Sequence, residues 1–171
     1  SGSRARTHRQ IAQLGIERID ALPRADASPS ATPATLGADI EPIRLALEVV
    51  TELGLRNCTV DLGHAEVVRA LLGPLPSDAR ANVADALGHK DEAELARATA
   101  ALPAELRSAI ALLPRLHGDV QHVFAEVPRS LREGPAGAAI TALETHCRFL
   151  AQAVAHLPLA LRVDLGEVRG F

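Results

Sequence analysis

A row of polar residues near the start of the chain is the first place where ligand chemistry could occur. In "HRQIAQLGIERI", residues 8–19, strand geometry puts Arg9, Gln13 and Glu17 on one side together with Gly15. Glycine within a strand often marks the close approach of a ligand or of another backbone. The segment fits either a helix or a strand; Gly15 disfavours the helix, and in the strand the polar side is a candidate ligand-binding face.

The end of the chain carries a second set of polar residues. In "LRVDLGEVRGF", a strand over residues 161–171 places Glu167 and Arg169 on one face. If both strands lie in one sheet, Gln13, Glu17 and Arg169 converge. The amide and the carboxylate suit an ammonium group, and the guanidinium suits a carboxylate. We therefore predict a site for an amino acid or similar zwitterion; the alternative is solvent-facing charges at strand ends.

Other residue types give weaker signals for chemistry. His117 and His122 are five residues apart and lack the spacing of zinc ligands. His64 lies between a predicted strand and a predicted helix, where we expect a capping or surface role. The sequence contains no G-x-G-x-x-G, no P-loop and no nucleophile elbow. We therefore predict neither a metal nor a cofactor.

Composition narrows the class of protein and its partners. The 171 residues suggest one domain, and 47% hydrophobic with 2% aromatic residues implies a core of Leu, Val, Ile and Ala. The net charge of -3 provides no field to attract nucleic acid or an anionic membrane, and no apolar run is long enough to span a bilayer. Cys58 and Cys147 lie in apolar patterns typical of buried thiols in a reduced compartment. We expect a cytoplasmic protein.

The first half of the chain contains a spacer, a helix and a strand. Residues 23–39 are rich in Pro, Ala, Ser and Thr and predict a loop. Asp39 is a candidate N-cap for a helix with Pro42 near its first turn and Gly54 at its end. Residues 57–63 alternate in the manner of a strand.

The second half is mostly helical. Short helices with Pro and Gly stops are predicted between residues 64 and 134. The spacing of apolar residues predicts a long helix over 136–157 and a final strand after it.

Strands scattered among helices fit either a parallel βαβ sheet or an α+β antiparallel sheet, and the pattern alone does not choose.

Three segments, in order, resemble the histidyl-tRNA synthetases and their paralogues. "HRQIAQLGIERI" is similar to the second half of motif two, and "ADIEPIRLALEVVTELGLRNCTVDLGHAEVVRALL" to the helix and strand that follow it. "VDLGEVRGF" resembles the approach to the histidine-binding Arg-Gly signature. The "DLGH" and "DLGEVRGF" segments are most similar to one paralogous family, the regulatory subunits of ATP phosphoribosyltransferase.

The resemblance implies an α+β fold of the class II aminoacyl-tRNA synthetase type, with a mainly antiparallel sheet flanked by helices. Residues 1–171 would form part of such a domain, and residues 64–135 a helical insertion within it. The first class II motif, the Arg-x-Glu of motif two and motif three do not occur in these residues. The chain therefore looks like the middle of a longer protein.

The resemblance also implies a role. It indicates a subunit that is not an enzyme, required with the short catalytic subunit for the first step of L-histidine biosynthesis, and a homodimer within a hetero-oligomer. Gln13 and Glu17 match positions that hold the amino group of histidine. Arg169 matches the arginine near its carboxylate, and Arg9 an arginine on the nucleotide side of the pocket. The alternatives are a fragment of a true histidyl-tRNA synthetase and an Ala-rich helical interaction protein.

Overall fold

A computed structural model describes residues 15, 17, 19 and 33–168 of the chain. Of the strand predicted over residues 8–19, only Gly15, Glu17 and Ile19 are described, and they lie outside helices and strands. The remainder of that segment, and the end of the chain from Arg169, fall outside the described residues.

Three strands form one mixed sheet in the described part of the chain, in the order β1-β3-β2. β1 and β3 are parallel, with Cys58 opposite Leu159 and Leu62 opposite Val163. β2 and β3 are antiparallel, and each of these pairings joins segments far apart in the sequence. The strands are β1 (Cys58–Leu62), β2 (His117–Asp119) and β3 (Leu159–Asp164).

Eight α-helices accompany the sheet within residues 33–168. The predictions of a helix before β1, of short helices after it and of a long helix before the last strand are confirmed. The three-residue strand β2 and the one-turn helix α7 are not predicted by the sequence pattern. The helices are α1 (Pro33–Glu52), α2 (Ala65–Leu72), α3 (Ser77–Gly88), α4 (Glu92–Ala98), α5 (Ala104–Leu112), α6 (Val120–Glu126), α7 (Arg129–Arg132) and α8 (Gly137–Ala153).

Helix α1 begins earlier than the sequence predicts. The loop expected up to residue 39 is wrong for residues 33–39, which are helical, so Asp39 is not an N-cap and Pro42 lies inside the helix. Ile40 and Leu47 of α1 are buried in one cluster with Leu150 of α8 and with Val154, the residue that follows α8. Burial of this face outweighs the weak helix propensity of the Pro- and Gly-containing start.

The end of α1 agrees with the glycine signal. Gly54 has φ +81, in the left-handed region that glycine adopts without steric cost. Its N–H donates to Thr51 O at 2.9 Å, and the N–H of Leu55 donates to Val50 O at 3.3 Å. These two bonds form a Schellman motif, which satisfies carbonyls left over at the helix end.

Helices cover one face of the sheet. Val163 of β3 is fully buried in the main apolar cluster together with residues of α2, α3, α5 and α8. On the opposite face Thr59, Asp61, Ala160 and Arg162 are exposed. None of the helices among the described residues combines the length and the apolar character needed to cross a bilayer.

The final strand is shorter than predicted. β3 ends at Asp164, so the alternation expected to continue through Leu165 and Glu167 breaks there. The carboxylate of Asp164 accepts a hydrogen bond from the N–H of Gly166 at 2.9 Å, which bends the chain into a turn. The predicted common face of Glu167 with the strand residues is therefore wrong.

The packing of α8 against α1 generates a prediction about stability. Replacing Leu150 with Ala should lower the free energy of unfolding by about 2–5 kcal/mol, because its side chain is 1% exposed and would leave a cavity. The matched substitution Leu53→Ala, at a side chain 74% exposed, should change it by about 0.5 kcal/mol or less. Urea unfolding of the two variants measures the difference; equal losses would contradict the packing described.

Candidate ligand-binding site

The predicted site has four residues, of which the structure describes one. Glu17 is exposed and lies outside helices and strands. Arg9, Gln13 and Arg169 are outside the described residues. The convergence of these four side chains on one ligand therefore stays a prediction.

The four residues before Arg169 are described, and they follow directly on strand β3. β1 and β3 are parallel, so their carboxyl ends meet at one edge of the sheet. The residues after β3, 165–168, run along that edge, and we call them the exit segment. The exit segment is thus the part of the described chain that bears on the predicted site.

Asp164 fixes the start of the exit segment with both of its carboxylate oxygens. Oδ1 accepts from the N–H of Gly166 at 2.9 Å, and Oδ2 lies 2.8 Å from Nζ of Lys90. The Asp164 side chain is 17% exposed, so water screens this ion pair less than it would an exposed one. Sequence reasoning missed Lys90, although it is the single lysine beside 17 arginines in the sequence.

The edge of the sheet also requires a glycine. A Cβ on Gly63, the residue after β1, would lie 2.7 Å from Cβ of Glu167 and 3.5 Å from the carbonyl oxygen of Asp164. Any side chain there would push the exit segment away from β1. At the start of the exit segment, the N–H of Leu165 donates to Leu116 O at 3.0 Å. The exit segment is therefore held closely by neighbouring parts of the fold.

His64 has the capping role that we expected. Its Nδ1 accepts from the N–H of Glu66 at 3.2 Å, at the N-cap of α2. This bond satisfies a helix N–H that would otherwise lack an intrahelical partner. The histidine beside the candidate site thus has a structural explanation.

A groove lies at the other end of β3. It has a volume of about 850 Å³ and is lined by α6, α8 and the first residues of β3, including Leu159 and Leu161. It is therefore separate from the exit segment. Cys147 is one of the lining residues and is fully buried. Burial, with a smaller effect of the Glu144 charge, raises the pKa of the Cys147 thiol to about 11.

An exposed apolar surface occupies the end of α1. Six large apolar side chains are exposed among the described residues, and Leu45, Val49, Leu53 and Leu55 are four of them. Leu45, Val49 and Leu53 are four residues apart and so form one ridge along the helix and its end. Clusters of this kind are typical of contact surfaces.

The Cys147 thiol generates a prediction about pH. Its pKa is about 11 in the folded protein against an ordinary value of 9.0, so the neutral form is favoured by folding. The resulting stability is fully present below about pH 9 and is lost as the pH rises toward 11. The free energy of unfolding should therefore fall more over that interval in the unchanged protein than in Cys147→Ala.

Chemical reactivity gives an independent check on the same thiol. In a Cys58→Ser background, maleimide should label Cys147 in urea at pH 8 but not in the folded protein, because the thiol is buried and protonated. Fast labelling without denaturant would show that the thiol is accessible and would contradict the packing.

Known proteins resemble this chain over most of its length. The family model described as "Histidyl-tRNA synthetase" matches residues 1–171. The ATP phosphoribosyltransferase regulatory subunit of Burkholderia lata is 38% identical over 144 residues, covering 81% of this chain and 35% of that protein. The one from Ralstonia nicotianae is 37% identical over 141 residues, with 81% and 35% covered. The one from Paracidovorax citrulli is 33% identical over 137 residues, with 78% and 34% covered.

A solved structure supports the fold. It is described as an ATP phosphoribosyltransferase regulatory subunit/histidyl-tRNA synthetase from Bacillus halodurans, and it matches with a TM-score of 0.59 at 22% identity, covering 78% of this chain and 35% of that chain. The class II synthetase-like α+β fold is therefore confirmed as a partial domain. The chain spans about one third of the length of the curated relatives it matches. Since the family model covers all 171 residues, the chain belongs to the histidyl-tRNA synthetase family.

Proposed function

We propose that this chain is part of a regulatory subunit of ATP phosphoribosyltransferase. The subunit would have no chemistry of its own and would act in the cytoplasm with the short catalytic subunit in the first step of L-histidine biosynthesis. The observation that carries the proposal is that curated relatives 33–38% identical over about four fifths of the chain bear this name. The chain covers a third of those relatives, so the activity concerns the whole protein.

Assembly with a catalytic partner is supported by the surface of α1. A subunit that acts through another protein needs a contact surface, and the ridge of Leu45, Val49 and Leu53 is apolar and exposed. We propose a homodimer within a hetero-oligomer as the assembled form.

We further propose that the protein binds L-histidine through Gln13, Glu17 and Arg169, with Arg9 toward the nucleotide side. An amide and a carboxylate are suited to the ammonium group, and the guanidinium can bind the carboxylate with two hydrogen bonds. The support from the described residues is that the exit segment, held at the carboxyl edge of β1 and β3, ends one residue before Arg169.

A true histidyl-tRNA synthetase is the alternative, and the description of the matching family model is the observation in its favour. A synthetase activates histidine with ATP, whereas the proposed regulator requires the catalytic subunit. The names of the relatives favour the regulator.

Reconstitution separates these two functions. The full-length protein mixed with the short catalytic subunit should form phosphoribosyl-ATP, while either protein alone should give little product. The full-length protein alone should give no histidine-dependent exchange of pyrophosphate into ATP. Exchange by the protein alone, with no effect on the catalytic subunit, would establish the synthetase instead.

Calorimetry with L-histidine tests the pocket. Glu17→Ala should weaken binding to the full-length protein by about 1.5–3 kcal/mol, because a charge-assisted hydrogen bond to the ammonium group is lost. Glu126→Ala, which removes an exposed carboxylate from the end of α6, is the control and should bind as the unchanged protein does. Equal heats for all three proteins would remove Glu17 from the pocket.

A further inference from the structure

We infer that Lys90 is a positioning residue for the histidine pocket, an inference that rests on the proposed function. Its Nζ lies 2.8 Å from Oδ2 of Asp164, the residue at which β3 ends and the exit segment begins. The exit segment reaches Val168, immediately before Arg169. Lys90 thus anchors the chain five residues before the arginine that would bind the carboxylate of the ligand.

The backbone conformation of Lys90 is unusual for a residue that carries a side chain. The N–H of Lys90 donates to Leu87 O at 3.0 Å and that of Asp91 donates to Ala86 O at 3.1 Å, which is a Schellman motif at the end of α3. Lys90 occupies its left-handed position with φ 52. Glycine is the usual residue there, since a side chain is sterically unfavourable in that conformation. A lysine held in such a conformation suggests a function for its side chain.

The end of α1 shows that a helix end of this geometry does not need a lysine. Gly54 occupies the equivalent position of the Schellman motif at the end of α1, with φ +81. The two helix ends share one backbone geometry, and only the end of α3 contributes an ammonium group to the sheet. The lysine is therefore not needed to end the helix.

The same turn reaches both ends of the exit segment. Lys90 binds Asp164 at its start, and Gly88 lies against Val168 at its end, where a Cβ on Gly88 would be 3.1 Å from Cγ2 of Val168. Asp164 in turn holds Gly166 through its other oxygen. A shift of the α3–α4 turn would thus displace the exit segment and with it the approach to Arg169.

Binding and stability should respond differently to removal of the ammonium group. In the full-length protein, Lys90→Gly should weaken L-histidine binding about fivefold or more. Its thermal midpoint should stay close to that of the unchanged protein, because glycine relieves the left-handed strain as the ion pair is lost. Lys90→Arg keeps the charge and should retain most of the affinity. Arg129→Met, which removes an exposed ion pair between Arg129 of α7 and Glu133 just after it, should leave affinity unchanged.

Amide hydrogen exchange tests the anchor without a ligand. In Lys90→Gly the amide of Gly166 should exchange faster, since its acceptor on Asp164 is no longer held, while that of the buried Val163 should keep its rate. Normal histidine affinity in Lys90→Gly, with the unchanged protein binding well, would overturn the positioning role alone. No binding by the unchanged protein would overturn the histidine pocket itself, and with it this role.

Discussion

Burial of the apolar face of α8 is the constraint on which the described fold depends. Ile140 and Cys147 of the helix lie in the main cluster with residues of α2, α3 and α5. Leu150 near the end of the helix, and Val154 just after it, lie in the smaller cluster with α1. One helix therefore contributes to both cores. Since β3 begins soon after α8 ends, the position of the helix also decides where the central strand enters the sheet.

Sequence pattern predicts the elements that have strong periodicity. β1 and α8 follow from regular apolar spacing, and the end of α1 follows from Gly54. The start of α1 does not, because it depends on packing against a helix about 100 residues away. Strand β2 has three residues, too few to show an alternation. For the candidate site, the sequence predicts which residue types could bind a ligand. It does not predict the ion pair of Lys90 with Asp164, because only the tertiary fold brings these two residues together.

One tetrapeptide shows why local sequence is insufficient. "VDLG" occurs at residues 60–63 and again at 163–166. In the first copy Asp61 is within the strand, and its carboxylate lies 3.8 Å from Arg162 on the neighbouring strand. In the second copy Asp164 ends the strand and caps the turn that follows. The strand thus ends at the leucine in the first copy and one residue earlier, at the aspartate, in the second, where the fold brings Lys90 to the carboxylate.

The exposed face of the sheet has a consequence for strand order. Arg162 of β3 lies opposite Asp61 of β1 on one side and opposite Asp119 of β2 on the other. Acid, base and acid therefore alternate across the sheet. If β1 lay beside β2 with Asp61 opposite Asp119, two carboxylates would face each other, whereas each opposite-charge cross-strand pair contributes roughly 0.2–1 kcal/mol. Burial of the apolar side stabilises the sheet as a whole. The charges on the exposed side favour β3, which carries the arginine, as the central strand.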